Sequence, residues 1–340
     1  MLGLSARLAS LPADQIRQDL VELLHEAQAN DAYWHGLFGG IYLPHLRRAV
    51  WRALISLERR LDALQSRPAQ FSGDIDMDGI DEVFLSSLSL QAVLRPDKDA
   101  ALIELSSYPL AQNFADSLKR YQEHYHHQAA AGEVSQHVGD GIASAHDVVR
   151  FKHEIKVEDL LEDHRSRGWF AETWTDFDAK RPVEYTSTVV QGGAVLCMGQ
   201  AGSGKEATRI AKIYSVQDNR LTVALKSVGN GRLSTRLNLA MPCCDGPAGR
   251  YVVNGEVPGG FGQAFVWNEL KELTLEDHYL GAAIHLQTNR PARIRAQPHF
   301  TVSQSEAGFE KIMQAVELTL TWEAEDVTEV QVRVDIASLR

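Results

Sequence analysis

The strongest constraint on the fold is a series of short alternating segments that starts near Phe71 and continues to the C-terminal end. Segments such as EVFLSSLSLQAVLR, LTVALKSV and AVELTLTW place apolar or β-branched residues at alternate positions, and turn residues separate them. A period of two is typical of strands with one buried face. So many short strands predict a large antiparallel β-sandwich. One stretch, from Pro109 to His127, has a helical pattern and predicts a helical interruption.

The residues before these strands follow a helical period. Apolar residues recur three and four positions apart in two stretches, at Ile16, Leu20, Leu23, Leu24 and Ala27, and at Leu46, Val50, Leu54, Leu57, Leu61 and Leu64. Ser10 is placed to cap the first helix, Pro12 suits its first turn, and the second helix follows Pro44. We therefore predict a helical segment over residues 1–67 and a β-sandwich over residues 68–340, which makes the fold mainly β.

Composition restricts the partners and the compartment. The chain has 34 Lys and Arg against 45 Asp and Glu, a net charge of −11, which argues against nucleic acid or an anionic membrane as the main partner. No apolar run approaches the roughly 20 residues of a membrane helix. The three cysteines are an odd number, Cys243 and Cys244 are adjacent, and no signal peptide is apparent. These features predict a cytoplasmic protein.

The segment GQAGSGKE resembles a nucleotide-binding P-loop, with Gly199, Gly204 and Lys205 in the expected positions. Glu206 departs from the motif, because a carboxylate takes the place of the hydroxyl that holds Mg²⁺. The residues on both sides also alternate as strands do, whereas a P-loop leads from a strand into a helix. We therefore favour a glycine-rich hairpin loop between two strands.

An acidic segment, DIDMDGIDE, begins like a calcium-binding loop. The candidate ligands are Asp74, Asp76, Asp78, the backbone carbonyl of Ile80, and Glu82. Gly79 allows the sharp turn that such loops need, but Leu85 stands where an EF-hand has its bidentate Glu. The segment is therefore either a Ca²⁺ site outside the EF-hand class or an acidic, solvated turn. No other cofactor is indicated.

Histidines form a second group of potential metal ligands, at His124, His126, His127, His137, His146, His153 and His164. Surface histidines, or core histidines with hydrogen bonds, are the simpler interpretation.

The segment NDAYWHGLFGGIYLPH, which joins the two predicted helices, combines aromatic side chains with an aspartate and histidines. Aromatic faces stack on sugar rings, and charged side chains bind sugar hydroxyls, so this composition suits a carbohydrate site. The alternative is a tight corner between helices, in which glycines allow close packing and the aromatic residues, Phe38 among them, fill the core.

This segment is also the centre of a resemblance to a known family. AQANDAYWHGLFGGIYLPHLRRAVWRALISLE closely resembles a segment of the 4-α-glucanotransferases and α-amylases of glycoside hydrolase family 57. DIDMDGIDEVFL, ALIELSSYPLAQNFADSLKRYQEHYH, ASAHDVVRFK and TVSQSEAGFEKIMQAVELTLTW also resemble segments of this family, in the same order. The resemblance extends over nearly the whole chain.

The resemblance implies that catalysis and substrate binding involve different parts of the enzyme. In this family a β/α barrel carries the catalytic Glu and Asp, and a helical segment and a β-sandwich of the galactose-mutarotase type follow it. The present sequence resembles only the later parts, and it has no position onto which the two catalytic carboxylates can be carried. What carries over is the aromatic segment, where Trp34 and His35 would line a glucose subsite with Asp31 nearby.

The expected function is therefore that of the C-terminal part of an α-1,4-glucan-acting glycoside hydrolase or 4-α-glucanotransferase. It would help to form the sugar cleft and would be inactive alone. Its expected partners are an α-glucan or maltooligosaccharide and a catalytic β/α barrel, in cis or in trans. The alternative is a free-standing, non-catalytic module that binds carbohydrate or acts as a scaffold.

Overall fold

The computed structural model describes residues 1–36, 39–126, 154–177, 179–204, 207–243, 248–305 and 308–339. Three helices come first: α1 (Leu2–Ala9), α2 (Gln18–Ala27) and α3 (Pro44–Leu64). Among the helices in these ranges, none is both long enough and apolar enough to cross a membrane.

The start of the helical segment differs from the prediction. The chain forms a separate short helix, α1, and the hydroxyl of Ser10 donates to the carbonyl of Arg7 at 2.7 Å. Ser10 therefore follows the C-terminal end of α1 and does not cap the helix after it. Pro12 precedes a 3₁₀ turn (Ala13–Gln15), and α2 begins only at Gln18. Helix α3 begins at Pro44, as the sequence indicates.

The strands form two antiparallel sheets. The first sheet contains β1 (Gln70–Gly73), β2 (Glu82–Ser86), β3 (Leu90–Arg95), β4 (Ala101–Ser107) and β5 (Gln112–Asn113), in sequence order. The second sheet contains β6 (Ala171–Asp176), β7 (Ala179–Gln191), β8 (Ala194–Ala201), β9 (Thr208–Gln217), β10 (Arg220–Val228), β11 (Gly231–Leu239), β12 (Gly249–Val253), β13 (Glu256–Gly260), β14 (Phe265–Asp277), β15 (Ala282–Ser305), β16 (Gly308–Ala324) and β17 (Val327–Ser338).

The second sheet closes on itself through its longest strand. The strand order is β13-β12-β14-β15-β16-β11-β6-β7-β8-β9-β10-β17, and β15 also pairs with β17. The first part of β15 pairs with β17, from Ala282 opposite Ser338, and its later part pairs with β16, from Arg293 opposite Thr321. One long strand thus joins two distant regions of the sheet.

Both sheets contribute to one hydrophobic core. Buried side chains of the first sheet, such as Leu90 and Leu105, belong to the same cluster as Leu233, Leu320 and Val332 of the second. Strand alternation explains this, because one face of each sheet turns its apolar residues towards the other sheet. The prediction of a mainly β fold, with an antiparallel sandwich after an N-terminal helical segment, is confirmed.

The helix predicted from Pro109 is wrong over the residues that the structure describes. The chain from β4 to residue 125 consists of turns, the short strand β5 and residues without regular secondary structure. The side-chain oxygen of Asn113 accepts hydrogen bonds from the backbone N–H groups of Leu105 and Ala115, at 3.0 and 2.9 Å. This side chain competes with helical backbone bonding, while Phe114 enters the shared core.

Candidate functional site

The loop between α2 and α3 has a backbone that only particular residues allow. It contains two 3₁₀ turns, Asn30–Ala32 and Gly40–Tyr42, and the N–H of Ile41 donates to the carbonyl of Trp34 at 2.9 Å. Gly40 has a φ of +51°, and a Cβ atom there would lie 2.1 Å from the carbonyl oxygen of Trp34. Glycine is therefore required where the loop folds back. Phe38 lies outside the described residues.

The loop leaves an indole ring available to a ligand. The side chain of Trp34 is 51% exposed, and its ring lies over Gly36, where a Cβ atom would be 3.5 Å from the ring. Asp31 is also exposed. The hydroxyl of Tyr33 donates to the carbonyl of Ala27 at 2.5 Å and so ties the loop to the end of α2. Trp34 and Asp31 thus lie on the same exposed loop, and sugar binding by them stays a prediction.

His35 has a different environment from Trp34. Its ring is half-buried, with the ring centres of Tyr42 and Tyr125 at 5.3 and 5.1 Å. Its Nε2 lies 3.2 Å from the carbonyl oxygen of Gln304, at the end of β15. This geometry anchors the loop to the second sheet. Whether His35 also lines a glucose subsite stays a prediction.

The residues around His35 were not identified as a site from the sequence. Tyr42 donates a hydrogen bond to Glu123, and the Tyr125 hydroxyl lies 3.3 Å from the carbonyl oxygen of Val302. Burial raises the pKa of both phenols well above the ordinary value, so they stay protonated and donate. His126 is buried with its Nε2 3.2 Å from the same carbonyl, which agrees with a core histidine. The density of histidine and tyrosine in EHYHHQ was the available signal.

A buried polar network fixes the other side of the loop. Arg47 of α3 donates to a carboxylate oxygen of Asp116 at 3.0 Å, to the carbonyl of Ile41 at 2.5 Å and to the side-chain oxygen of Gln314 at 2.8 Å. Gln314 in turn donates to the carbonyl of Tyr42 at 2.9 Å. The network connects α3 and strand β16 with the part of the loop around Ile41 and Tyr42, and it holds that part in place.

A second buried group of charges lies where α3 packs on the first sheet. Gln91 donates to both Glu58 and Glu104, at 3.0 and 2.9 Å, and Arg67 lies 3.0 Å from Glu58. Burial raises the pKa of Glu58 to about 7 and also raises the pKa of Glu104. Both carboxylates border a cavity of about 330 Å³ that is lined mainly by apolar side chains, such as Leu54.

The predicted calcium ligands are brought together in part. The carboxylates of Asp74, Asp76 and Asp78 each have an oxygen within 4.8 Å of the others. Arg95 forms ion pairs with Asp76, at 2.8 Å, and with Asp78. The arginine therefore already supplies positive charge to two of the proposed ligands. The Ca²⁺ site stays a prediction, with Arg95 as the competing cation.

The last two proposed ligands differ in exposure. Glu82 is buried, and one of its carboxylate oxygens accepts a hydrogen bond from the N–H of Ile75 at 3.0 Å. Burial raises its pKa. Ile80 is half-buried, and its N–H donates to Asp78 at 2.9 Å. Asp74 accepts from the N–H of Gly79, which has a φ of +90°. These bonds hold the turn even without a metal ion.

The segment that resembles a P-loop connects two paired strands, β8 and β9, which confirms the predicted hairpin. β8 and β9 pair in antiparallel register up to Ala201 opposite Thr208, so a strand follows where a P-loop would need a helix. Lys205 and Glu206 lie outside the described residues, as do His127, His137, His146 and His153. His124 and His164 are exposed. Within the described ranges, the three aspartates named above are the only group of His, Cys, Asp or Glu side chains close enough to share a metal.

Comparisons with known proteins identify the family. Residues 74–336 match the family model "Alpha-amylase/4-alpha-glucanotransferase, C-terminal", and residues 1–61 match "Alpha-amylase/4-alpha-glucanotransferase, middle domain". A 4-alpha-glucanotransferase of Thermococcus kodakarensis is 31% identical over 327 residues, which are 89% of this chain and 46% of the relative. The chain thus spans about half the length of the curated relatives it matches.

A solved structure shows the same fold as this chain. The crystal structure of a 4-alpha-glucanotransferase from Thermococcus litoralis superposes with a TM-score of 0.73 and 24% identity, over 98% of this chain and 48% of the other. A galactose mutarotase-like protein from Clostridium acetobutylicum gives a TM-score of 0.42 and 9% identity, over 79% of this chain and 98% of the other.

Proposed function

The chain belongs to the alpha-amylase/4-alpha-glucanotransferase family, and from this premise we propose that it forms one side of the sugar cleft in an enzyme that acts on α-1,4-glucans. Retaining chemistry on such a substrate needs two carboxylates about 5–5.5 Å apart, one as nucleophile and one as acid/base. In this proposal a β/α barrel supplies both carboxylates, in cis or in trans. The chain itself contributes substrate binding.

The observation that carries this proposal is the exposed indole of Trp34, whose backbone carbonyl accepts a hydrogen bond from the N–H of Ile41. A half-exposed indole buries apolar area when a pyranose ring stacks on it. Asp31, exposed on the same loop, would accept hydrogen bonds from sugar hydroxyls. His35 would position the loop through Tyr42, Tyr125 and Gln304.

The binding part of the proposal is tested by titrating the chain with maltoheptaose and following the heat released or the tryptophan fluorescence. We expect saturable binding that weakens about tenfold in Trp34→Ala and is largely kept in Trp34→Phe, which retains a stacking surface. Phe177→Ala is the matched control, because Phe177 is 93% exposed in another turn. Binding that is unchanged in Trp34→Ala would contradict the assignment.

The catalytic part is tested by incubating the chain with maltotriose and following glucose and longer oligomers. We expect no disproportionation by the chain alone, and turnover when a barrel of the same family is added or fused. Turnover by the chain alone would contradict the proposal that a β/α barrel supplies both catalytic carboxylates. Binding without any rescue by a barrel would favour the alternative of a non-catalytic carbohydrate-binding module.

We also propose a weak Ca²⁺ site at Asp74, Asp76 and Asp78, with Glu82 and the carbonyl of Ile80 as further ligands. The support is the short spacing of the three carboxylates, which together carry more negative charge than Arg95 can balance. The cytoplasm is the proposed compartment, in keeping with the buried thiol of Cys197.

A further inference from the structure

A cavity of about 490 Å³ lies on one face of five adjacent strands of the second sheet, β15, β16, β11, β6 and β7. We call it the cationic groove. Its charged lining residues are Arg165, Lys180, Arg232, Arg236, Arg293, Arg295 and Glu317, and its hydroxyl-bearing lining residues are Thr173, Thr175, Ser234, Thr235, Thr319 and Thr321. This volume is in the range of sites for small ligands.

Strand register brings these side chains together from distant parts of the sequence. Arg232 lies opposite Thr175, Arg293 lies opposite Thr321, and both Arg236 and Arg295 lie opposite Thr319. Their neighbours along the strands, such as Leu233, Ile294 and Leu320, point into the core. Alternation therefore gives this part of the sheet one apolar face and one face of guanidinium and hydroxyl groups.

The positive charge of the groove is poorly balanced by the protein. Glu317 is engaged by Arg167 at 2.5 Å and by Gln297 at 2.7 Å, and Arg165 is paired with Asp99. The side chains of Lys180, Arg232, Arg293 and Arg295 are exposed, and none of them forms an ion pair among the described residues. On a chain of net charge −11, such a concentration of cations is a local exception.

Arg236 adds an unused donor. Its Nη2 donates to the carbonyl of Ser166 at 2.9 Å, whereas its Nε is buried without a hydrogen-bond partner. Burial lowers the pKa of this guanidinium, and the negative charge of Glu317 opposes that shift.

The lining favours an anion over a neutral sugar. Among the residues that the structure describes, no aromatic side chain lines the groove, so a pyranose ring would find no stacking surface there of the kind that Trp34 offers. Guanidinium groups bind phosphate oxygens in pairs of parallel hydrogen bonds, and threonine hydroxyls suit sugar hydroxyls. We propose that the cationic groove binds a phosphorylated saccharide, with the phosphate between Arg293, Arg295 and Arg236.

Two sources carry this chemistry, a free sugar phosphate and a phosphate ester on a glucan. Calorimetric titrations of Trp34→Ala, which lacks the proposed glucan-stacking surface, with glucose 6-phosphate and with a phosphorylated maltooligosaccharide separate them. We expect at least one of the two to bind about tenfold more tightly than inorganic phosphate, and glucose not to bind. Equal affinity for inorganic phosphate would overturn the saccharide part, and no binding of any phosphate would overturn the whole proposal.

Amino-acid substitutions test where on the protein the sugar phosphate binds. The double variant Arg293→Gln/Arg295→Gln changes two exposed side chains and should fold normally, which its melting temperature checks, while the affinity falls about tenfold or more. Arg232→Gln, on the opposite part of the groove, should weaken binding less. Arg209→Gln removes an exposed arginine of β9 outside the groove and should leave the affinity unchanged.

Three further outcomes bear on whether the groove is the binding site. Wild type and Trp34→Ala should bind glucose 6-phosphate alike, so failure of the glucan site and failure of the groove are distinguishable. Undiminished phosphate binding in the double variant would contradict the location. A short polyglutamate peptide that binds the groove more tightly than either sugar phosphate would indicate a protein partner and overturn the proposal.

Discussion

The loop that carries Trp34 takes its shape from distant contacts, whereas the cationic groove takes its shape from strand register. His35 reaches Gln304 across 269 positions of sequence, and Arg47 reaches Gln314 across 267. In the groove, backbone hydrogen bonds between neighbouring strands fix the positions of the arginines. The arginine side chains take no part in those bonds. A loop site can therefore be lost through a residue that never contacts the ligand, whereas the groove should lose affinity residue by residue.

The largest expected effect comes from breaking the buried network behind the loop. Arg47→Met removes the partner of Asp116 and of Gln314, and we expect it to lower the free energy of unfolding by about 3 kcal/mol. At a temperature where the variant is still folded, maltoheptaose binding should be lost and sugar-phosphate binding kept. Urea denaturation and calorimetry measure both. Arg52→Met, an exposed position on α3, is the control, and equal losses in the two variants would contradict the network's role.

The second prediction concerns pH and the other end of α3. Because burial raises the pKa of Glu58 to about 7, its contribution to stability is full below its unfolded value near 4.5 and is lost as the pH rises through about 7. The melting temperature should therefore fall by a few degrees between pH 5 and pH 8. Glu58→Gln should flatten this change, and Glu26→Gln, at an exposed position of α2, should not. An identical pH profile for wild type and Glu58→Gln would be inconsistent with this assignment.

The third prediction separates loss of binding from loss of structure. Trp34→Ala should weaken maltoheptaose binding about tenfold, a change of ~1.4 kcal/mol, while the melting temperature stays within about 1 °C of the wild-type value because the indole is half exposed. Differential scanning calorimetry and titration on the same samples check this. A large fall in melting temperature would instead mean that the indole packs as a structural element.

The fourth prediction is that salt concentration affects ligand binding at the groove more than ligand binding at the Trp34 loop. Raising NaCl from about 50 mM to about 500 mM should weaken sugar-phosphate binding severalfold, because exposed guanidinium groups are screened, and should leave maltoheptaose binding nearly unchanged. Titrations at both concentrations test this directly. Similar salt dependence of the two ligands would mean that they share a site.

The smallest expected effect is that of calcium. Because Arg95 pairs with Asp76 and Asp78, about 5 mM CaCl₂ should raise the wild-type melting temperature by only about 1 °C. Arg95→Gln should increase this shift, since the ion no longer competes with a guanidinium group. The same concentration of MgCl₂ is the control. Absence of any calcium shift in both proteins would remove the site.

The sequence was most informative where the signal is local. Periodicity predicted α3 and the antiparallel strands, and the composition of the loop singled out Trp34. It was least informative where two distant segments meet. Asp116 lies in a stretch predicted to be helical, and nothing near Arg293 indicates that Arg236 lies two strands away. Register and tertiary hydrogen bonds supply that information, and single-sequence patterns do not contain it.

The error at Ser10 has a similar cause. A serine before a proline suits the beginning of a helix, but it also suits the end of one, and the eight residues of α1 are too few to give a clear period. The helix was therefore missed, although its Leu8 packs against Leu57 and Leu61 of α3 in the same cluster.

The closure of the second sheet through β15 leaves that sheet with few strand edges to which another chain could attach. A strand edge offers unpaired N–H and C=O groups, on which a strand of a neighbouring molecule can grow. Here the open end of the strand order is β13, which pairs only with β12 among the described residues and has the sequence EVPGG. Pro258 lacks an N–H group, and the two following glycines have no side chains to pack, so this edge is a poor template for intermolecular β-sheet.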